Sequence, residues 1–129
     1  MSANTIIQQV EAYLRDQAEV MTEPAPEECL ACYVQRMLAS HGCDTTLRWA
    51  QRFRDRRSPR ATGLERRLGN MGGFCDCEIF LNGLQLAEHL MVRDVHTDEL
   101  EAPAERPVCS GVRPTSTRPC VNWERLQRW

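Results

Sequence analysis

Apolar side chains recur at helical spacing through the first half of the chain. Ile6, Val10, Tyr13, Leu14 and Ala18 repeat every three or four residues between Glu11, Arg15 and Glu19, which predicts an amphipathic helix over 5–20. The segment T-E-P-A-P-E-E (22–28) interrupts it, because two prolines oppose helix continuation. Leu30, Val34, Met37 and Leu38 then mark a second helix from about Glu27 to His41, with Gly42 as its stop. A third helix is expected from Thr45 to about Arg56, capped by Asp44 and burying Leu47, Ala50 and Phe53. Thr62 and Glu65 have the spacing of a capping box for a fourth, with Leu64, Leu68 and Met71 turned inward.

Beyond Gly72-Gly73 the pattern changes. F-C-D-C-E-I-F-L (74–81) is short, apolar and partly alternating, so it reads as a strand or as a knuckle leading into one. Asn82-Gly83 signals a turn, and Leu84–Val92 is expected to form a fifth helix. Residues 103–119 hold four of the seven prolines and little that builds a core. The end, V-N-W-E-R-L-Q-R-W (121–129), suits two helical turns with Trp123, Leu126 and Trp129 on one side, as a latch onto the domain or as a docking segment. The expected architecture is mainly α: an N-terminal helix (1–21), a small helical domain stapled by a metal (27–93), and a Pro-rich tail with a short terminal helix (94–129).

Composition fits one domain of 129 residues with 42% hydrophobic positions, a core small enough for a metal to help it. No stretch is long and apolar enough to span a membrane, and the first residues lack the basic and apolar regions of a secretory leader, so a cytoplasmic protein is expected. The net charge of −2 hides a strong asymmetry. Residues 1–47 carry seven acids and two arginines, whereas residues 48–67 carry eight arginines and two acids. All sixteen basic residues are arginine.

The thiols carry the most chemistry. Cys29 and Cys32 (C-L-A-C) and Cys75 and Cys77 (C-D-C) form two tight pairs, and four thiolates suit one tetrahedral zinc ion. A reducing compartment favours metal over disulfide. An iron–sulfur cluster, a redox disulfide and plain apolar packing are the other readings. The first pair falls at a helix start, where unpaired N–H groups favour thiolates. Cys43 lies about 20 Å along that helix from Cys29 if the helix is straight, so either it is a small buried core residue outside that centre or the helix is shorter. Cys109 and Cys120 have no assigned role, although they can pair with each other. His41, His89 and His96 read as surface residues.

Asp76 and Glu78 flank the C-D-C thiols. One of them would be a general base beside a metal-bound water in a hydrolase. The plainer reading makes them acceptors for backbone N–H groups and partners for arginine. A four-thiolate site leaves no position for water, and no hydrolase or nucleotide-binding motif is present, so no catalytic activity is expected. Arg48, Arg52 and Arg56 fall one helical turn apart. They form either a surface for RNA phosphates, with Trp49 stacking on a base, or a solvated face paired with the acidic N-terminal third.

The segments C-L-A-C-Y-V-Q-R-M-L (29–38), H-G-C-D-T-T-L-R-W (41–49), R-A-T-G-L-E-R-R-L (60–68) and G-G-F-C-D-C-E-I-F-L-N (72–82) resemble a small bacterial family of unknown function marked by C-D-x-T-L-R and G-G-x-C-D-C-E. Shorter members carry His at the position of Thr45 and lack the C-x-x-C, which counts against Cys43 as a ligand here and for Cys29 and Cys32 completing the site. Longer actinobacterial members, among them ribosome-hibernation recruitment factors, keep the C-x-x-C. Likeness to these implies a zinc-responsive adaptor on the small ribosomal subunit, with possible rRNA contact, that recruits a hibernation-promoting protein when zinc is scarce. The alternatives are a thiol-based redox protein or small metalloenzyme, or a DNA-binding regulator built on the second and third helices.

Overall fold

The computed structural model describes residues 3–126. Four helices lead: α1 (Ala3–Met21), α2 (Leu30–His41), α3 (Arg48–Arg57) and α4 (Leu64–Asn70). A single turn, α5 (Asp76–Glu78), runs into a π-helical turn over Ile79–Gly83. Short strands follow: β1 (Leu84–Leu86), β2 (Val92–Arg93), β3 (Leu100–Glu101) and β4 (Trp123–Arg125), with a 3-10 turn at Glu88–Leu90. The fold is mainly helical. None of the described helices is long and apolar enough to cross a membrane.

The core forms where α2 and α3 pack together. Tyr33, Val34 and Met37 of α2 meet Trp49, Ala50 and Phe53 of α3, with Leu64 and Leu68 of α4 and Ile79 closing the cluster. Each such large apolar side chain stabilises the fold by about 1.5–3 kcal/mol when fully buried. Tyr33 and Phe53 rings lie 5.7 Å apart. The Tyr33 hydroxyl donates to the carbonyl of Thr22 at 2.7 Å, which satisfies its polar end and ties the end of α1 to α2. Gly42 ends α2 at φ +76, with its N–H on Leu38, as a left-handed stop requires.

α1 differs from the others. Its stripe of Ile6, Val10 and Leu14 stays half exposed, and the helix meets the body mainly through its last turn and residues 22–23.

Three local expectations are corrected. Asp44 does not cap α3; its carboxylate accepts the N–H of Thr46, and α3 begins at Arg48. Thr62 caps nothing at α4, whose N-cap is Gly63, and Glu65 instead accepts from Gln51 and Arg54. The strand and helix expected over 74–92 are exchanged, because residues 76–83 are helical and Leu84–Leu86 is a strand. β1 is extended because it pairs antiparallel with β4 (Leu84 with Arg125, Leu86 with Trp123), a partner nearly forty residues away.

That pairing makes the C-terminal segment part of the body. Cys120 and Trp123 are buried, and the Trp123 ring meets Phe80 at 5.1 Å. The Val112 N–H donates to Glu27, Arg57 to the carbonyl of Pro114 at 2.6 Å, and Ser58 to that of Thr115 at 2.6 Å. Trp123–Arg125 is therefore a strand and not the expected terminal helix. Trp129 lies outside the described residues.

Candidate metal centres

Cysteine sulfurs gather at two places, one at each end of α2. Cys29 is the N-cap of α2 in extended conformation, and its sulfur accepts the N–H of Cys32 at 3.3 Å. Cys32 lies one turn in. The C-terminal segment brings Cys109 and Cys120 to the same point, so the four sulfurs lie within 4.8 Å of one another. A tetrahedral ion with metal–sulfur bonds of about 2.3 Å needs sulfurs roughly 3.8 Å apart. Cys32 and Cys120 stand 3.9 Å apart.

N–H groups point at these sulfurs as they do at bound thiolates. Cys29 N–H donates to the Cys109 sulfur at 3.3 Å, Gly111 N–H to the same sulfur at 3.4 Å, and the Trp123 indole to Cys32 at 3.3 Å. The Cys29 thiol is lowered to about 5, first by the hydrogen bond from the Cys32 thiol and then, against the opposing effect of burial, by the N–H groups of Cys32 and Cys120. Cys32 moves the other way, because it keeps the proton shared with Cys29 and is itself desolvated. Burial also raises Cys109. A dication bound here would displace the protons that Cys32 and Cys109 hold more tightly than ordinary thiols.

The second group joins Cys75 and Cys77, before and within α5, to Cys43 in the loop after α2; these three also lie within 4.8 Å of one another. Cys75 and Cys77 sulfurs are 3.3 Å apart. Cys75 is buried and its thiol pushed up to about 12, chiefly by desolvation. Cys43 is exposed. What burial it has raises its thiol, but N–H groups of Cys77 and Thr45 outweigh that and bring it below its ordinary value.

The four cysteines expected to share one ion are thus divided. Cys29 and Cys32 close with Cys109 and Cys120, and Cys75 and Cys77 close with Cys43. α2 separates the two pairs, and the single centre of Cys29, Cys32, Cys75 and Cys77 does not form. The signal for the missing members was two cysteines in a Pro-rich segment followed by an aromatic. The segment's return to the core depends on β1–β4 pairing, which local sequence does not encode. Either group can hold a thiophilic metal ion.

Asp76 explains why the second group sits where it does. Its side chain is 0% exposed and accepts the N–H of Trp49 at 2.8 Å and of Ala50 at 3.1 Å, capping α3 from another element. Its own N–H donates to Thr46 at 3.0 Å. Of the two roles weighed for Asp76, acceptor of backbone N–H groups is the one the geometry provides.

The arginine face is largely occupied from within. Arg52 donates to the carbonyls of Thr22 (3.1 Å) and Glu19 (3.2 Å), and Arg56 to the Glu23 carboxylate at 2.8 Å. The acidic end of α1 is therefore the immediate partner of this stripe. Trp49 is 2% exposed, with the Arg48 guanidinium 4.0 Å from its ring centre and its indole N–H on Gly42. It is a core residue and not an open platform for a base. Arg48 and Arg56 remain exposed.

No curated protein and no solved structure matches the chain. Residues 30–82 match the model of a family described as a protein of unknown function (DUF2695), a stretch that contains Cys43, Cys75 and Cys77 but only Cys32 of the four-sulfur group.

Proposed function

We propose that the chain is a non-enzymatic, zinc-responsive adaptor of the translation machinery, which docks on the small ribosomal subunit and brings in a hibernation-promoting protein when zinc is scarce. The observation that carries this reading is the four-sulfur group. It joins residues 80 and more positions apart, so an ion there would clamp the C-terminal segment to the start of α2. Zinc is the fitting ion because four thiolates at tetrahedral spacing form a closed structural set. Loss of zinc would leave Cys32 and Cys109 protonated and loosen the segment, changing which surface the domain displays. The exposed arginines Arg48 and Arg56 offer the phosphate-binding side, Arg56 in exchange for its bond to Glu23. The adaptor and its ribosomal partner come from the likeness of residues 29–82 to the longer family members.

The test measures zinc per purified chain and compares co-sedimentation with small subunits for metal-loaded protein, metal-free protein and Cys109→Ser. The metal-free forms are expected to bind more tightly and to retain the hibernation factor. Arg48→Glu with Arg56→Glu is expected to weaken binding at every salt concentration. Absence of zinc together with identical sedimentation of all forms overturns the proposal.

A second reading has its own observation, the low thiol of Cys29 beside Cys32, the setting of a reactive redox pair. Thiol titration separates the two. Thiols released together by chelator support a closed metal centre, whereas one fast thiol that ignores chelator supports redox chemistry.

A further inference from the structure

The structure assigns to Cys43, Cys75 and Cys77 a second metal site, separate from the four-sulfur group, whose fourth position is left for a neutral nitrogen donor from another molecule. This inference does not rest on the adaptor reading; it concerns only metal number and ligation.

Three thiolates are provided, and among the described residues no fourth cysteine, histidine or carboxylate oxygen joins them at the same spacing. The nearby acids have other work. Both Asp76 oxygens receive the N–H groups that start α3. Asp44 turns back to the N–H of Thr46. The Glu78 carboxylate contacts the Cys75 thiol and accepts from Asn82 at 3.4 Å. Cys43, on the exposed loop, puts one side of the site at the surface. The four-sulfur group contrasts with this, because Cys29 and Cys120 are buried and Trp123 covers Cys32.

Charge favours a neutral ligand. A dication held by three thiolates already carries −1; Asp44, Asp76 and Glu78 stand close by, and Arg48 offsets part of their charge at Asp44 and Asp76. An imidazole nitrogen adds no further charge and completes the three-sulfur, one-nitrogen set that zinc readily accepts. In the isolated chain water would hold this place. On a partner, a surface histidine would fill it and so attach the two molecules through the ion.

Cobalt(II) reports both number and geometry. Full-length protein is expected to bind two equivalents, and added imidazole should shift the visible bands saturably. Cys43→Ser, a substitution on an exposed loop, should bind one equivalent and show no imidazole response, with an unchanged circular dichroism spectrum. Cys109→Ser should lose the other equivalent and keep the response. With zinc, a chelator should strip the Cys43 site at least tenfold faster than the other. Binding of one metal that Cys43→Ser leaves intact overturns the inference. So does a two-metal protein blind to imidazole, or a response that appears only in Glu78→Gln, which would show that Glu78 closes the site itself.

Discussion

The Asp76 carboxylate receives the backbone N–H of Trp49 across 27 positions of sequence, at 2.8 Å and without solvent. A helix start is normally capped by its own preceding residue. Here the cap arrives from the turn that carries Cys75 and Cys77, so α3 and the second sulfur group are positioned by one side chain. Asp76→Ala strands two buried donors and is expected to destabilise the protein by about 2–4 kcal/mol. Asp76→Asn, which keeps one acceptor oxygen, is expected to cost less. Urea denaturation checks both.

Removing metal from the four-sulfur group should free the C-terminal segment without unfolding α2 and α3. The clamp closes a loop of some ninety residues, and its loss is expected to cost up to about 4.5 kcal/mol, or roughly 15 °C in Tm. Limited proteolysis should then cut within residues 103–119 in chelated protein and in Cys120→Ser, and leave zinc-loaded protein and Cys43→Ser intact. Binding should also expel protons, since Cys32 and Cys109 are held above the ordinary thiol range. Calorimetry in buffers of different ionisation heat measures that release.

Tyr33 should make the fold sensitive to strong alkali. Desolvation raises its phenol from 10 to about 12, so the unfolded chain loses this proton first as pH rises. Its contribution is complete below pH 10 and falls away as the pH climbs from about 10 to about 12. Tyr33→Phe should remove that share of the alkaline loss. It should also cost about 1 kcal/mol at neutral pH, through the bond to Thr22. Thermal melts of both proteins across this range decide the matter.

Gly73 has no room for a side chain. A Cβ there would come within 3.0 Å of Ile79 and 3.2 Å of the Leu68 carbonyl, which already accepts the Gly73 N–H at 2.8 Å. Gly73→Ala is expected to cost about 1–3 kcal/mol by pushing the C-D-C turn away from α4. Equilibrium denaturation measures the cost, and a weaker cobalt signal from the Cys43 site would show the displacement.

Helical periodicity located α1 to α4 because the apolar stripes of α2, α3 and α4 do face a core. It located their starts less well, since the groups that begin α3 come from Asp76 and not from Asp44. Spacing along α2 correctly kept Cys43 away from Cys29, but the same geometry applied to Cys75 and Cys77 needed the path of the chain after α4. Leu84–Leu86 looked helical because its apolar positions fit either period, and the partner that makes it a strand lies at Trp123. Everything set by that return of the chain, including the places of Cys109 and Cys120, was invisible to local pattern.

α2 is twelve residues long, about 18 Å of stiff rod, with Cys29 at its head and Cys43 just past its foot. Two ions so spaced share no ligand and interact only weakly through a packed body. If both groups take an ion, the molecule has four filling states and not a single on and off. A falling supply would then empty the more exposed end first and the more buried end later, which would give one small chain two separate thresholds for the same scarcity.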